Sequence, residues 1–288
     1  MNERNIRAKN FAFIGGSQGI GRAAALSLSE RGASILIVGR SQSAGDAVTA
    51  EAKAKGATSA EFLSADISTV SGIVEAANGI RAWKPELHGL MHTAMSAFNH
   101  KIITADGFEF AFALQYFARA ALNRLLIDQL AASGDGRVVH VAGNVSPAMA
   151  RADLDDLQFE HRAWSFFKSV LSTHHLGFLH LQEAGRRWEQ LPVSFTASCV
   201  ETVKTQAMLD PRMPFIMRLM GRFGTTPELA SRNAVTLLCT SEIENLKAAI
   251  VPNSKKYAPQ PFNRDAPDAA KLWDITTQLA QEKGLILH

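Results

Sequence analysis

Asn10-Phe11-Ala12-Phe13-Ile14-Gly15-Gly16-Ser17-Gln18-Gly19-Ile20-Gly21 is a short apolar run that breaks into glycines and opens onto Arg22-Ala23-Ala24-Ala25-Leu26. Strand, glycine turn and helix in direct succession are the layout of a cradle for a dinucleotide diphosphate. Gly15 lets the chain turn sharply, Gly19 keeps side-chain atoms away from the anion, and Gly21 lets the helix pack close on the strand. The free amides and the positive dipole end of that helix then face the phosphates.

The totals agree with an enzyme-sized globular chain. Its 288 residues are 47% apolar and 20% charged, enough to bury a large core, and the net charge of +3 is spread over mixed acidic and basic residues. That pattern gives no footprint for nucleic acid. Cys199 and Cys239 make neither a disulfide framework nor a metal set, and the histidines and carboxylates lack ligand spacing, so no metal is expected. A polar start without signal-peptide character, reduced cysteines and no apolar run near the roughly 20 residues of a membrane span point to a cytoplasmic protein.

Working outward, Ala33–Gly39 is a β-branched run suited to a parallel strand covered on both faces, and it stops at Arg40. An Arg at this place pairs with a 2′-phosphate where an acidic residue would grip a 2′-hydroxyl, which favours NADP(H) over NAD(H). Gln42–Lys55 reads as a helix, Ala60–Ser64 as a third strand leading to Asp66 and Ile67, and Thr69–Trp83 as a helix that Asp66 or Ser68 would cap. Leu87–Met95 gives a fourth strand with its loop, Thr104–Leu130 ends in a long helix, Arg137–Gly143 is a fifth strand, Arg162–Trp188 a helix and Pro192–Cys199 a sixth strand. Residues 206–225 are rich in Met and aromatic residues and read either as a lid over a small hydrophobic substrate or as a surface helix packed on the core or on a second subunit. Thr226-Pro227 starts a helix as cap and first position, Ala248–Val251 is a last strand, and a short amphipathic helix spans Leu272–Ala280. The alternation implies one α/β domain over residues 1–288, a Rossmann-type doubly wound parallel sheet with helices on both faces.

The Gly-x-x-x-Gly-x-Gly loop, with Asp106-Gly107-Phe108-Glu109 and Leu154-Asp155-Asp156-Leu157, resembles the short-chain dehydrogenase/reductases, and within them the retinol-dehydrogenase-like branch. The resemblance implies a nicotinamide cofactor, an oligomer such as a homodimer or homotetramer, and a cofactor set here comprising Gly15, Ser17, Gln18, Gly19, Ile20, Gly21, Arg40, Asp66, Ile67, Thr93, Ala94, Lys168 and Thr205. It also implies a Tyr-x-x-x-Lys pair aided by Ser and Asn. Here Lys168 keeps its place, whereas Trp164 stands for the Tyr, Gly143 for the Ser and Gln115 for the Asn.

An indole N–H is a donor only and relays no proton near neutral pH. With Trp164 and Lys168 four apart, the spacing predicts that both share one helix face. His92, at the end of the fourth strand, is the histidine best placed to replace the lost acid; His140 reads as a core residue, His161 as a neighbour of the altered pair, and His174 and His175 as interface residues. Lys168, Trp164, His92 and Gln115 are thus the candidate catalytic residues. Three functions follow: an NADP(H)-dependent oxidoreductase for a carbonyl, alcohol or iminium compound; a non-redox cyclase, isomerase or lyase using His92 or Glu201; or a nucleotide-binding protein without turnover.

Overall fold

A computed structural model of the protein describes residues 3–96, 98–143, 151–241 and 246–287. Strand β1, Asn10–Ile14, is buried along its whole length, as the unbroken Phe-Ala-Phe-Ile run requires of a strand covered on both faces. Alternation then splits its side chains: Phe11 and Phe13 enter one core, Ala12 and Ile14 the other. Burying each Phe contributes about 1.5–3 kcal/mol.

The further strands are β2 (Ser34–Gly39), β3 (Ser59–Ser64), β4 (Gly89–His92), β5 (Gly136–Gly143), β6 (Val193–Val200), β7 (Ala248–Val251) and β8 (Gln260–Pro261). They form a sheet of order β3-β2-β1-β4-β5-β6-β7-β8, parallel except for β8, which pairs antiparallel with β7. The short β8 gave no sequence signal, being two residues containing a proline. The order reverses between β1 and β4, so a ligand crevice is expected outside their carboxyl ends.

Helices α1 (Gly19–Ser29), α2 (Gln42–Ala54) and α9 (Pro227–Cys239) cover one face; α3 (Val70–Trp83), α4 (Ala118–Leu125), α5 (Ile127–Ala132), α6 (Phe166–Arg187) and α10 (Ala266–Glu282) cover the other. The doubly wound sheet is therefore as expected. Short helices α7 (Gln206–Leu209) and α8 (Phe215–Arg222) follow β6.

Four details correct the sequence reading. The cap of α3 is Thr69, whose hydroxyl accepts from Gly72 N at 3.1 Å, rather than Asp66 or Ser68. The long helix expected to end at Leu130 is three pieces: a π-helical segment at Phe112–Phe117, then α4 and α5, with Leu126 breaking the pattern at φ −107°, ψ 7°. Helix α6 begins at Phe166, not Arg162, because Ser165 caps it by accepting from Lys168 N. Helix α10 is longer than expected and buries Leu272, Trp273, Thr276 and Ala280, because it seals the α6 face of the core.

Candidate nucleotide site and active site

Gly15 and Gly19 adopt φ of +88° and +53°, a region that side chains disfavour. A Cβ on Gly15 would stand 2.5 Å from Ala94 N, and one on Gly21 would stand 2.4 Å from Thr93 Oγ1 and 2.7 Å from the Gly15 carbonyl. Strand β4 thus braces the loop from below: Thr93 N and Ala94 N both donate to Ile14 O at 2.9 Å, and the Thr93 hydroxyl faces the Ile14 and Gly15 carbonyls at 3.2 and 3.1 Å. Above it, Gln18 offers no side-chain cap and the first turn of α1 carries no acid, which leaves the opening amides facing an anion. Changing Gly21 to Ala is expected to cost about 2 kcal/mol by overpacking the loop. The same change should abolish the thermal shift with NADPH; an unchanged shift would show that the loop does not hold the nucleotide.

Beside the loop, Ser17, Gln18, Gly19, Arg22, Glu51 and Gln206 line a cleft of about 330 Å³. Arg22 is ion-paired with Glu51 there, an arrangement that sequence spacing did not signal. Thr205 lies close above the loop, its methyl 3.0 Å from a Cβ placed on Gly19, while its hydroxyl caps α7. Arg40 lies 4.0 Å from Asp66 with both side chains largely exposed, so the pair contributes little and leaves the guanidinium available. The other Asp66 oxygen accepts from Ser68 N and Oγ. Ile20 packs on one core and Ile67 is buried in the other, so their side chains serve the fold. The glycine loop, the uncapped start of α1 and Arg40 together fit the phosphate end of a dinucleotide.

The catalytic end differs from expectation. Because α6 starts after it, Trp164 lies outside the helix and shares no helix face with Lys168. Its indole N–H donates to Glu109 Oε1 at 3.2 Å, and the same buried carboxylate accepts from Ser169 Oγ at 3.1 Å and Phe112 N at 2.8 Å. Lys168 sits exposed in the first turn of α6. Gln115 is buried in the π-helical segment, donating to Ser96 O at 3.0 Å and accepting from Thr173 Oγ1 at 3.3 Å. Gly143 N donates to His174 Nε2 at 3.4 Å, and the neighbouring Asn144 lies outside the described residues. Glu201, the other acid or base named above, is over half exposed and 3.7 Å from Lys255.

His92 is not at the crevice surface. It has no exposed area, and burial followed by the Arg119 charge lowers its pKa to about 3, so it is no proton donor at working pH. Its Nε2 meets Asn123 Oδ1 at 2.9 Å, while Asn123 Nδ2 meets His140 Nε2 at 3.0 Å and His180 Nε2 at 3.2 Å. One amide therefore fixes three imidazoles: His92 carries its proton on Nε2, and the other two accept there. Arg119, also buried, donates to Val141 O at 2.9 Å and Ala94 O at 3.1 Å at the carboxyl ends of β5 and β4, and burial lowers its pKa to about 10. Sequence reasoning missed Arg119 and Asn123, yet a signal existed. Gln115, Arg119 and Asn123 recur every four residues in an otherwise apolar stretch, which puts one polar stripe on the face turned to the sheet.

Comparison with known proteins agrees with this architecture. Residues 9–151 match the family model described as short chain dehydrogenase. Human retinol dehydrogenase 13 is 26% identical over 302 residues, covering 95% of this chain and 85% of its own, and human retinol dehydrogenase 12 is 24% identical over 279 residues, covering 95% and 87%. Among solved structures, an uncharacterized protein from Mycobacterium paratuberculosis superposes with a TM-score of 0.73 at 20% identity, covering 97% of this chain and 96% of that one. A short-chain type dehydrogenase/reductase from Mycobacterium ulcerans gives 0.65 at 17%, covering 89% and 94%. The first half of the chain thus carries the short chain dehydrogenase pattern, and nearly the whole chain is similar to retinol dehydrogenases.

Proposed function

We propose that this protein is an NADP(H)-dependent oxidoreductase for a small hydrophobic carbonyl, alcohol or iminium compound, working without the usual tyrosine relay. The observation that carries the reading is the loop from Gly15 to Gly21, held open by glycines whose Cβ positions neighbouring atoms already occupy, with Arg40 largely exposed just after β2 beside Asp66. When bound, the cofactor would supply or accept the hydride. The chain's own residues bind and orient: the α1 amides and Arg40 take the phosphates, and Thr93 and Ala94 fix the loop.

None of the four catalytic positions supplies a proton donor aimed at the crevice. Trp164 is spent on Glu109, Gln115 on Ser96 and Thr173, Gly143 has no side chain, and the Lys168 side chain is exposed. A substrate that needs hydride alone, such as a cyclic iminium ion, fits that set better than a ketone. Trp164 in the place of the relay Tyr also favours a second reading, a nucleotide-binding protein without turnover.

Two binding measurements test the nucleotide site, and a turnover panel separates the readings. NADPH should raise the melting temperature more than NADH at equal concentration. Changing Arg40 to Glu should weaken NADPH binding on the order of tenfold, about 1.4 kcal/mol, and leave NADH nearly unchanged. Loss of NADPH absorbance with an iminium panel supports redox; binding with no turnover for any ketone or iminium compound supports the second reading. No thermal shift with either nucleotide overturns both.

A further inference from the structure

Trp164 stands where the resemblance places a proton relay, yet its ring makes a different contact. It packs with Phe166 and Val170 of α6 and with Met208, Met213 and Met217 of the segment after β6, in a small core separate from the two that flank the sheet. Its N–H holds Glu109, just before the π-helical segment. One side chain thus joins three stretches of chain.

Little else fastens the segment after β6. Between Gln206 and Phe223 the inward methionines are the three in this core, while Phe215, Ile216, Leu219 and Met220 face solvent. Its base is closed by Lys204 N donating to Thr225 O at 2.9 Å and by Thr225 N donating to Thr202 O at 3.0 Å. Farther out, Asn99 N donates to Arg212 O at 3.1 Å between two exposed residues. Hydrogen bonds open to water contribute little, so apolar burial around Trp164 decides whether the segment stays down.

The same segment borders the nucleotide site. Thr205 caps α7 and sets its methyl over Gly19, and Gln206 lines the cleft beside Ser17 and Gly19. Helix α7 is a single turn, so Gln206 at the cleft and Met208 in the Trp164 core move as one piece. Gly221 lets α8 lie close on Met208, which carries α8 along.

We infer that Trp164 is a positioning residue that latches residues 206–223 beside the glycine loop and so slows release of a bound nucleotide. The inference rests on the nucleotide reading above. Hydrogen exchange of the free protein and stopped-flow displacement of NADPH test it. In Trp164→Ala the amides of Gln206–Phe223 should exchange on the order of tenfold faster, with those of β1 and α1 unchanged, because the main cores are untouched. NADPH should leave on the order of tenfold faster while associating at an unchanged rate. Trp164→Phe, which keeps an apolar ring, should lie much closer to the wild type in both. Met213→Ala trims the same core from the other side; it should reproduce the Trp164→Ala result, and the double variant should add little further. Unchanged exchange in both alanine variants, or faster exchange with an unchanged release rate, overturns the inference alone. A wild-type protein that binds no NADPH overturns the nucleotide reading with it, and the two failures differ because exchange is read without nucleotide.

Discussion

On acidification from pH 8 the protein should unfold cooperatively with a midpoint near pH 5, well above the range where carboxylates titrate. Burial lowers the pKa of His92, His174 and His180 to about 3 and of His175 to about 4, and holds His140 well below its ordinary value. In the unfolded chain each returns to about 6.5. Because the folded pKa values are depressed, the unfolded state binds more protons at every pH between roughly 6.5 and 3. Stability from these groups is therefore complete above about pH 6.5 and drains away as pH falls. Each histidine contributes up to about 1.4 kcal/mol per pH unit, so five together reach on the order of 5 kcal/mol per unit or more. Two such units remove about 10 kcal/mol, the middle of the usual 5–15 kcal/mol of total stability. Ellipticity and tryptophan fluorescence against pH would show the transition, and its steepness the uptake of several protons; a midpoint below pH 4 would mean that the imidazoles charge inside the fold.

Replacing Asn123 by Leu, which keeps the branched shape of the side chain, should be among the most damaging single changes in the core. It strips His92 Nε2–H of its acceptor and His140 and His180 of their donor, in a place with no exposed surface. The Nδ1 atoms of His92 and His140 already lack partners, so the rings have nothing to turn to. At about 1–3 kcal/mol for each stranded polar group, the loss is about 4 kcal/mol or more. That corresponds to a melting temperature lower by roughly 10 °C in a chain of this size. Calorimetry of the variant at pH 8, where the imidazoles are neutral in both states, isolates the effect; a loss under about 1 kcal/mol would show that the rings find other partners.

The sheet and the glycine turn after β1 were readable because each depends on local patterns. Glycines, a buried run and a following Ala-rich helix leave few alternatives, and the Thr226-Pro227 start of α9 is read from two residues. The catalytic end was not readable because its outcome turns on where one helix begins. Counting back four from Lys168 assumed helix at Trp164, whereas Ser165 caps the first turn and sends the indole to Glu109 across 55 positions of sequence. His92 was misplaced for a related reason. It closes a four-residue strand lying between β1 and β5 and paired in register with His140, so it is covered on both faces, and a sequence does not say which strand is central. Helix α10 was underestimated because Trp273 and Thr276 look like an ordinary surface pattern until α6 lies over them.

The tail that carries α10 also governs when the protein can finish folding. Tyr116 meets Thr276 across 160 positions, Arg124 reaches Leu287 across 163, and the Arg124 and Arg187 guanidiniums lie 4.3 and 4.9 Å from the Trp273 ring centre. During synthesis, the seam between the π-helical segment and α6 stays uncovered until α10 has emerged.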